Sequence, residues 1–292
     1  MNDEDAAVYA DQLEQRGEID RANLIRLQRV RAPAWERESV EARWECEHLI
    51  ARFEDVWRAE LPVIPDVEWR EFREGFIASA FVGSFETLHD RAAVIGAVSP
   101  TMSEIVIAQR QEPDELAPPM PWLRTLRMQL DFTDGPIVIA SEGSVVERVP
   151  ELVLEMSRYA LGQGPMLPPQ LTTPKDRFAM VGEHIGGQML ANELVANPGL
   201  HHTKQLKLGT KFVDFNYHYF GDPTLREVGA QVLANGEMFR DVELLDLTRQ
   251  RIGDAGFAAI APQLGCVREL LLGVNDLTTL PALPPGPMLD RL

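Results

Sequence analysis

Apolar positions near the C-terminus of the chain recur at a fixed distance. Residues 242–264 read VELLDLTRQRIGDAGFAAIAPQL, and residues 267–277 read VRELLLGVNDL. The two segments superimpose with a period of 25, which places Val242, Leu245, Leu247, Gln250 and Ile252 opposite Val267, Leu270, Leu272, Asn275 and Leu277. Apolar and other residues alternate over a short run in each segment. This alternation predicts a strand that buries one of its faces.

An amide side chain follows each predicted strand, Gln250 in the first segment and Asn275 in the second. An amide at a bend can hydrogen-bond the backbone groups that the turn leaves unpaired. The run DAGFAAIAPQL then predicts a short helix that packs back onto the strand. The pattern L-x-x-L-x-L-x-x-N-x-L resembles the leucine-rich repeat, in which stacked neighbours bury the apolar face that one unit cannot bury alone.

Weaker copies of the pattern occur upstream. The segments MSEIVIAQ, LRTLRMQ and TKQLKLGTKFV fill its apolar positions with Met102, Ile105 and Ile107, then Leu123, Leu126 and Met128, and then Leu206, Leu208 and Val213. The pattern weakens in residues 131–177, where GPIVIAS predicts a strand and RVPELVLEMSRYAL predicts a helix. A further helix is expected over residues 178–196. We count about five repeats, two of them irregular.

The N-terminal region has a helical pattern instead. Two short helices are expected within residues 2–31, and a third is expected from Pro33 to about Glu60. Apolar residues at helical spacing mark the third helix, namely Val40, Trp44, Ile50, Phe53 and Trp57. An aromatic stripe at this spacing is more often core than a ligand-stacking set, so we expect these side chains to be buried.

The segment YADQLEQRGEIDRANLIRLQ resembles the signature of the bacterial repeat-companion domain, a short unit that often precedes leucine-rich repeats. The resemblance is carried by Tyr9-Ala10-Asp11, Leu13-Glu14, Arg16-Gly17 and Ile25-Arg26-Leu27-Gln28, and Gln12 stands where the family has Trp. Residues 69–76 are similar to the W-x-x-F-x-x-GF segment that follows this domain, and we expect them to form the first strand of the repeats. The resemblance implies no single activity.

The fold expected from these patterns is an α/β leucine-rich-repeat solenoid, with parallel strands on one face, helices on the other and an N-terminal helical cap. The expected divisions are a helical repeat-companion unit (1–62), an irregular solenoid (63–278) and a Pro-rich tail (279–292). The tail is too broken by proline for another repeat helix. It is expected to fold over the last repeat as a lid, and the alternative is that this edge pairs with another chain.

Charge and composition restrict the function. The net charge of −17 argues against nucleic acid, which requires clustered Lys and Arg. The acidic start predicts no signal peptide, and no apolar run is long enough to span a bilayer. Cys46 and Cys266 are too few for a disulfide framework, so a reducing cytoplasm fits best, and the family resemblance implies a bacterial one. We find no catalytic motif, and we expect no cofactor and no metal site, because the His residues lack converging donors.

One candidate surface is the solvent side of the strand ladder, where partners of solenoid proteins commonly bind. Its residues are Arg127, Gln205, Lys207, Leu244, Asp246, Thr248, Glu269 and Leu271. Glu104 and Val106 are expected on the same side further upstream. The alternative is that these positions are ordinary solvent-facing sheet positions with no partner.

A second candidate surface is an aromatic insertion, FVDFNYHYF, whose candidate contact residues are Phe215, Tyr217 and Tyr219. Aromatic side chains anchor interfaces, but the insertion could equally cover a gap between irregular repeats.

These patterns lead us to expect a monomeric, non-enzymatic scaffold that binds another protein through its strand face. Neither a nucleic acid nor a membrane is expected as a partner. Two alternatives remain open. The chain could be an enzyme whose unrecognised site lies in the irregular middle, around residues 131–148, or a structural adaptor subunit of a larger bacterial assembly.

Overall fold

In a computed structural model of the chain, the structure describes residues 3–30, 37–109, 117–130, 144–156, 171, 173–182, 187–208, 224–236, 238–280 and 283–284. Contacts between residues divide the chain into two compact units. The first unit is Met1–Val106 with Pro118–Leu123, and the second is Ile107–Ala117 with Arg124–Leu292.

The first unit begins with the three expected helices: α1 (Asp3–Gln15), α2 (Ile19–Leu27) and α3 (Arg37–Ala59). Gly17 has a φ of 84°, a left-handed conformation that suits glycine and turns the chain between α1 and α2. These two helices share a core of side chains that are at most 1% exposed, namely Ala6, Ala10, Leu13, Ala22 and Ile25. The prediction of two short N-terminal helices is therefore confirmed.

Helix α3 buries only one side of its aromatic stripe. Trp57 is 5% exposed and packs with Leu24 and Cys46, whereas Trp44 is 59% exposed. The expectation that the whole stripe is core is wrong. Trp44 and Trp57 are 13 residues apart, which at about 100° per residue puts them on nearly opposite sides of the helix.

The chain then forms five short strands, the last of which ends one residue past Val106. They are β1 (Val67–Trp69), β2 (Phe72–Arg73), β3 (Phe76–Ile77), β4 (Ser79–Val82) and β5 (Glu104–Ile107), with helix α4 (Phe85–Ala97) before β5. Strand β1 pairs antiparallel with β4, and β2 pairs antiparallel with β3. The expectation of one repeat strand over residues 69–76 is therefore wrong. Glu74 and Gly75 both have positive φ, and the chain reverses there.

Helices and hairpin of the first unit are tied together by arginines. Arg58 donates hydrogen bonds to the carbonyl oxygens of Trp69 and Arg70, and Arg29 pairs with Glu74.

All four side chains of β5 are buried. The exposure expected for Glu104 and Val106 is therefore wrong, because this strand is covered on both faces.

The second unit contains six parallel strands. The strands are β6 (Thr125–Leu130), β7 (Glu151–Met156), β8 (Arg177–Gly182), β9 (Gln205–Lys207), β10 (Leu244–Asp246) and β11 (Glu269–Leu271). They are neighbours in chain order, and each of the five pairings is parallel. The α-helices described in this unit are α5 (Val145–Arg148), α6 (Gly187–Ala196), α7 (Arg226–Asn235) and α8 (Gly253–Ile260), and α6 to α8 pack in sequence.

One side of this sheet, which we call the inner face, is filled by a continuous apolar row. Its residues are paired in register and are all 0% exposed: Leu126, Leu152, Phe178, Leu206, Leu245 and Leu270. A second inner row begins with Met128, Leu154 and Met180, which are also 0% exposed. The predicted inward orientation of Leu245, Leu247 and Leu270 is confirmed, whereas Leu272 is partly exposed.

Two elements of the middle region differ from the expectation. Residues 151–156, expected in a helix, form strand β7, and residues 177–182, expected mostly in a second helix, form strand β8. The register pairs Thr125 with Glu151 and Glu151 with Arg177, a spacing of 26 residues in each case. The ladder is thus regular in a region where the sequence pattern is weak.

The amide that follows each C-terminal strand bonds to backbone groups, as expected. The side chain of Gln250 accepts from Leu225 N at 3.1 Å and donates to Leu208 O. Asn275 accepts from Gln250 N at 3.0 Å and donates to the carbonyl oxygens of Leu247 at 2.7 Å and Leu272 at 2.9 Å. Both amides are at most 2% exposed. They join each turn to the preceding one.

Replacing Asn275 with alanine is expected to lower the free energy of unfolding by about 1–3 kcal/mol, because buried backbone groups lose their partners. Asn235→Ala is the control, since Asn235 is exposed at the end of α7, and it should cost less than about 0.5 kcal/mol. Urea denaturation of both variants measures the difference. Equal stabilities would contradict a structural role for the Asn275 amide.

Candidate functional site

The opposite side of the second unit's sheet, which we call the outer face, carries two rows of side chains in register. The first row is Thr125, Glu151, Arg177, Gln205, Leu244 and Glu269, and the second is Arg127, Val153, Ala179, Lys207, Asp246 and Leu271. Neighbouring strands lie about 4.8 Å apart. A single side chain of a bound protein can therefore contact two adjacent residues of a row. Seven of the eight residues expected on the strand face therefore belong to these two rows, and the eighth, Thr248, lies just beyond β10.

On β6–β8, charged side chains of the outer face form ion pairs with one another. The Arg127 guanidinium donates to Glu155 Oε1 at 2.8 Å, and a nitrogen of Arg177 lies 3.5 Å from Glu151 Oε2. Val153, which lies among these groups, is only 1% exposed. Arg127, expected to contact a partner, is thus held in an intramolecular ion pair with 28% of its side chain exposed.

The part of the outer face on β9–β11 is open, and we call it the open strand face. Gln205 is exposed, and its other residues are partly exposed: Lys207, Leu244, Asp246, Thr248, Glu269 and Leu271. None of the seven is buried, although the inner-face residues between them are 0% exposed. The open strand face therefore presents two partly exposed leucines among charged groups of both signs.

Hydrogen bonds to the backbone hold the strands of the open strand face in place. Asp246 Oδ1 accepts from Thr248 N at 2.9 Å, which fixes the chain as it leaves β10. Leu208 N donates to Asp246 O at 2.8 Å, and Leu247 N donates to Leu271 O at 2.9 Å. Preformed surfaces of this kind lose little conformational entropy when a partner binds.

The aromatic insertion lies outside the described residues, and with it Phe215, Tyr217 and Tyr219. Most of the middle region considered for an enzyme site, residues 131–143, also lies outside them. Its described end is helix α5, which begins after Ser144, whose Oγ accepts from Glu147 N at 3.0 Å. Val145 and Val146 of this helix are buried and offer no reactive group.

One charged group in the core was not found by sequence reasoning. Lys175 is 1% exposed, and its Nζ donates to three carbonyl oxygens, those of Val146 at 2.9 Å, Glu147 at 2.5 Å and Val149 at 2.9 Å. Burial lowers the pKa of Lys175 from about 10.5 to about 8, and the nearby Glu147 opposes this shift. All three ammonium hydrogens have acceptors, so this lysine closes the end of α5 and is not presented to a substrate.

The histidines of the second unit that the structure describes are bound to protein groups. A ring nitrogen of His201 lies 2.7 Å from Val195 O, and one of His202 lies 2.6 Å from Asp241 Oδ2. Within the described ranges, no group of three or more His, Cys, Asp or Glu residues is arranged to hold a metal ion.

Two surface clefts are lined by described residues of the first unit. One, of about 330 Å³, is lined by Glu18, Asp20, Arg21, Trp57 and Glu60. Arg21 has nitrogens 2.9 Å from Glu18 and 2.5 Å from Glu60, and its guanidinium lies 5.4 Å from the Trp57 ring centre. These contacts tie α2 to the end of α3, a structural task.

The other cleft, of about 500 Å³, lies between α2 and α3 and is lined by Asn23, Arg26, Leu27, Trp44, Glu45, His48 and Leu49. The rings of Trp44 and His48 are 3.8 Å apart between centres, and a His48 nitrogen lies 3.0 Å from Trp44 O. Arg26 is paired with Asp11 and Glu14 at 2.8 and 2.6 Å. This cleft therefore exposes the Trp44 side chain, and its described lining residues do not pair a nucleophile with a base.

Comparison with protein families, with curated proteins and with solved structures found no match to this chain. Among the helices that the structure describes, none is both long and apolar enough to cross a membrane. The candidate site is therefore defined by geometry alone, and its best-formed surface is the open strand face.

Proposed function

We propose that the chain is a non-enzymatic scaffold of the leucine-rich-repeat type that binds another protein through the open strand face. Consecutive strands of the second unit are offset by 26, 26, 28, 39 and 25 residues in the register. Four of these five spacings fall within the 20–29 residues of a leucine-rich repeat. The buried Gln250 and Asn275 amides occupy the asparagine position of that repeat.

The difference between the two halves of the outer face carries this proposal. On β6–β8 the charged side chains form ion pairs with one another, and the apolar residues Val153 and Ala179 are 1% exposed. On β9–β11 the apolar residues at equivalent positions, Leu244 and Leu271, are partly exposed. Two leucines with charged neighbours provide the mixture of apolar anchors and polar rim that protein interfaces use.

A reducing cytoplasm is the proposed location. Cys46 is buried, Cys266 is exposed, and both are free thiols. An exposed free thiol is typical of compartments in which disulfides do not persist. The proposed partner is a protein, because an acidic chain with a net charge of −17 repels the phosphates of nucleic acids.

Two substitutions on opposite surfaces test the proposed function. Leu271→Arg places a charge on the open strand face, whereas Val228→Arg places one on α7, where Val228 is 49% exposed. Each variant and the unaltered chain are immobilised and exposed to lysate of the cells that produce the protein. A partner of the open strand face should be captured by the unaltered chain and by Val228→Arg, but at least about tenfold less by Leu271→Arg, since a buried unpaired charge in an interface costs several kcal/mol.

Thermal melts of both variants should match that of the unaltered chain, because neither position is buried. Capture that is unaffected by Leu271→Arg and lost with Val228→Arg would place the binding surface on the helices and contradict the proposal.

A further inference from the structure

The cleft between α2 and α3 in the first unit, which we call the Trp44 cleft, exposes a large apolar side chain. Trp44 is 59% exposed, and Val40, one turn earlier on α3, is 43% exposed. On its core side, α3 contributes Cys46, Phe53 and Trp57, so the packing of this helix does not require an aromatic residue at position 44. A tryptophan that stays in contact with water beside a cleft is typical of a surface that binds a partner.

His48 holds the Trp44 ring in place. The two ring centres are 3.8 Å apart, with an angle of 39° between the ring planes. His48 Nδ1 lies 3.0 Å from the carbonyl oxygen of Trp44, and this nitrogen is the donor because a carbonyl oxygen only accepts. The ring contact and the hydrogen bond limit the rotamers of both side chains. The aromatic surface is therefore formed before a ligand binds, which lowers the entropic cost of binding.

The rest of the lining combines apolar and polar groups. Leu27 and Leu49 are partly buried, whereas Asn23 and Glu45 are exposed. Within the described ranges, no residue forms a hydrogen bond or an ion pair with the Glu45 carboxylate. The cleft has a volume of about 500 Å³, which is typical of sites that bind a ligand with several chemical groups. It therefore offers one ligand an aromatic surface, an apolar wall and a carboxylate.

The charge at the Trp44 cleft is negative. Arg26 also lines the cleft, but its guanidinium already donates to Asp11 Oδ1 at 2.8 Å and to Glu14 Oε2 at 2.6 Å. Together with Glu45, these residues place three carboxylates against one guanidinium. A cationic ligand is therefore favoured over an anionic one.

We propose that the Trp44 cleft binds an arginine side chain from a basic segment of another protein. The planar guanidinium stacks on the face of the Trp44 indole that His48 leaves open, and it donates to the Glu45 carboxylate. Lysine fits less well, because its ammonium group is not planar and cannot stack on a ring. The net charge of −17 adds a long-range attraction for a basic segment.

The occupant is a segment of a protein and not a free amine. The cleft volume of about 500 Å³ exceeds the volume of one arginine side chain. Val40 and Leu27 extend the apolar surface beyond the Trp44 ring. Residues on either side of the arginine can therefore bury apolar surface at these positions. The proposal concerns the first unit and does not rest on the function proposed for the open strand face.

Titration of the whole chain with two peptides tests the proposal. The first peptide is acetyl-Gly-Leu-Arg-Leu-Gly-amide, and the second carries citrulline, a neutral group of similar shape, in place of arginine. Labelling with ¹⁵N-tryptophan gives one indole signal for each of the five tryptophans, and Trp44→Phe identifies the signal of Trp44. The arginine peptide should shift this signal and bind at least about tenfold more tightly than the citrulline peptide, because only arginine forms a charge-assisted hydrogen bond.

Three substitutions on α3 locate the contacts. Trp44→Ala and Glu45→Gln should each weaken binding of the arginine peptide by at least about fivefold, as measured by fluorescence anisotropy of a dye-labelled peptide. Glu47→Gln is the matched control. Glu47 is exposed and lies about 200° around the helix from Glu45, so its replacement should leave binding unchanged. Thermal melts of the three variants should match that of the unaltered chain, because none of the three side chains is buried.

Any of three results would overturn the proposal. The first is equal affinity for the arginine and citrulline peptides or no shift of the Trp44 signal, and the second is binding that neither Trp44→Ala nor Glu45→Gln weakens. The third is agmatine, a free guanidinium compound, binding as tightly as the arginine peptide, because the occupant would then be a small amine. Leu271→Arg should bind the arginine peptide normally, so this test is independent of the one for the open strand face.

Discussion

Leu245→Ala is expected to lower the free energy of unfolding by about 2–5 kcal/mol, the range for removing a fully buried leucine side chain. Leu245 is 0% exposed and lies between Leu206 and Leu270 in the inner row. Truncation would leave a cavity between two neighbouring strands, and the flanking strands are fixed by their own hydrogen bonds. Urea denaturation with a two-state analysis provides the measurement.

Asp246→Ala is the matched control, since it changes the next residue of the same strand. Asp246 is partly exposed, and its carboxylate makes one local bond, to Thr248 N. Its loss should cost less than about 1 kcal/mol. If Asp246→Ala proved more destabilising than Leu245→Ala, the inner and outer faces of β10 would be exchanged.

The C-terminal repeats were predictable because each strand there is buried on one face only. Leu245 and Leu270 are buried while the residues beside them are partly exposed, so the period of two is visible in the sequence. The amide positions could also be predicted from the sequence. Gln250 and Asn275 are 25 residues apart, and both hydrogen-bond backbone groups of a turn. Local chemistry and the global fold agree in this part of the chain.

Strand β7 was mistaken for a helix because it is buried on both faces. Leu152, Val153 and Leu154 are all at most 1% exposed, so the strand contains no alternation. Glu151 and Glu155 flank this run at a spacing of four, which imitates the polar side of a helix. Residues 178–180 of β8 are also all buried, and the same reasoning explains that error.

The candidate surface was predictable in position but not in extent. The alternation of the sequence identifies which residues of β9–β11 leave the core, and the structure places them on one face. The pairing of Arg127 with Glu155 depends on the register of β6 and β7, and β7 had not been identified as a strand. Exposure of Trp44 was missed for a related reason, since helical spacing does not reveal which of two sides is covered.

Lys175 could not have been identified from the sequence. It follows Pro174 in a polar stretch, TTPKD, and an isolated lysine in such a stretch is normally solvated. Its burial depends on where α5 ends, because the helix carbonyl groups that would otherwise lack partners are the acceptors for its ammonium group.

Lys175→Met is expected to lower the free energy of unfolding at pH 7 by about 2–4 kcal/mol. Methionine fills a similar volume but donates no hydrogen bond, so the carbonyl oxygens of Val146, Glu147 and Val149 would lose their shared donor. Lys204→Met is the control. Lys204 is exposed, and its replacement should change the stability by less than about 0.5 kcal/mol.

The pH dependence of the free energy of unfolding distinguishes the loss of the Lys175 charge from poor packing of the methionine side chain. The pKa of Lys175 is lowered to about 8 in the folded chain and is about 10.4 when unfolded. Below pH 8 both states hold the proton, and the cost of burying the charge is fully present. Between pH 8 and about 10.4 the unfolded state binds more protons, so the stability of the unaltered chain should rise, by up to about 3 kcal/mol.

Lys175→Met should lack this rise, whereas Lys204→Met should retain it. The other ionisable groups are common to all three proteins, so their contributions cancel in the differences. Urea denaturation at pH 7, 8, 9 and 10 therefore measures Lys175 itself. The stability gap between the unaltered chain and Lys175→Met should widen with pH. A gap that stays constant would show that the pKa of Lys175 is not lowered by folding, and that its ammonium group remains accessible to water.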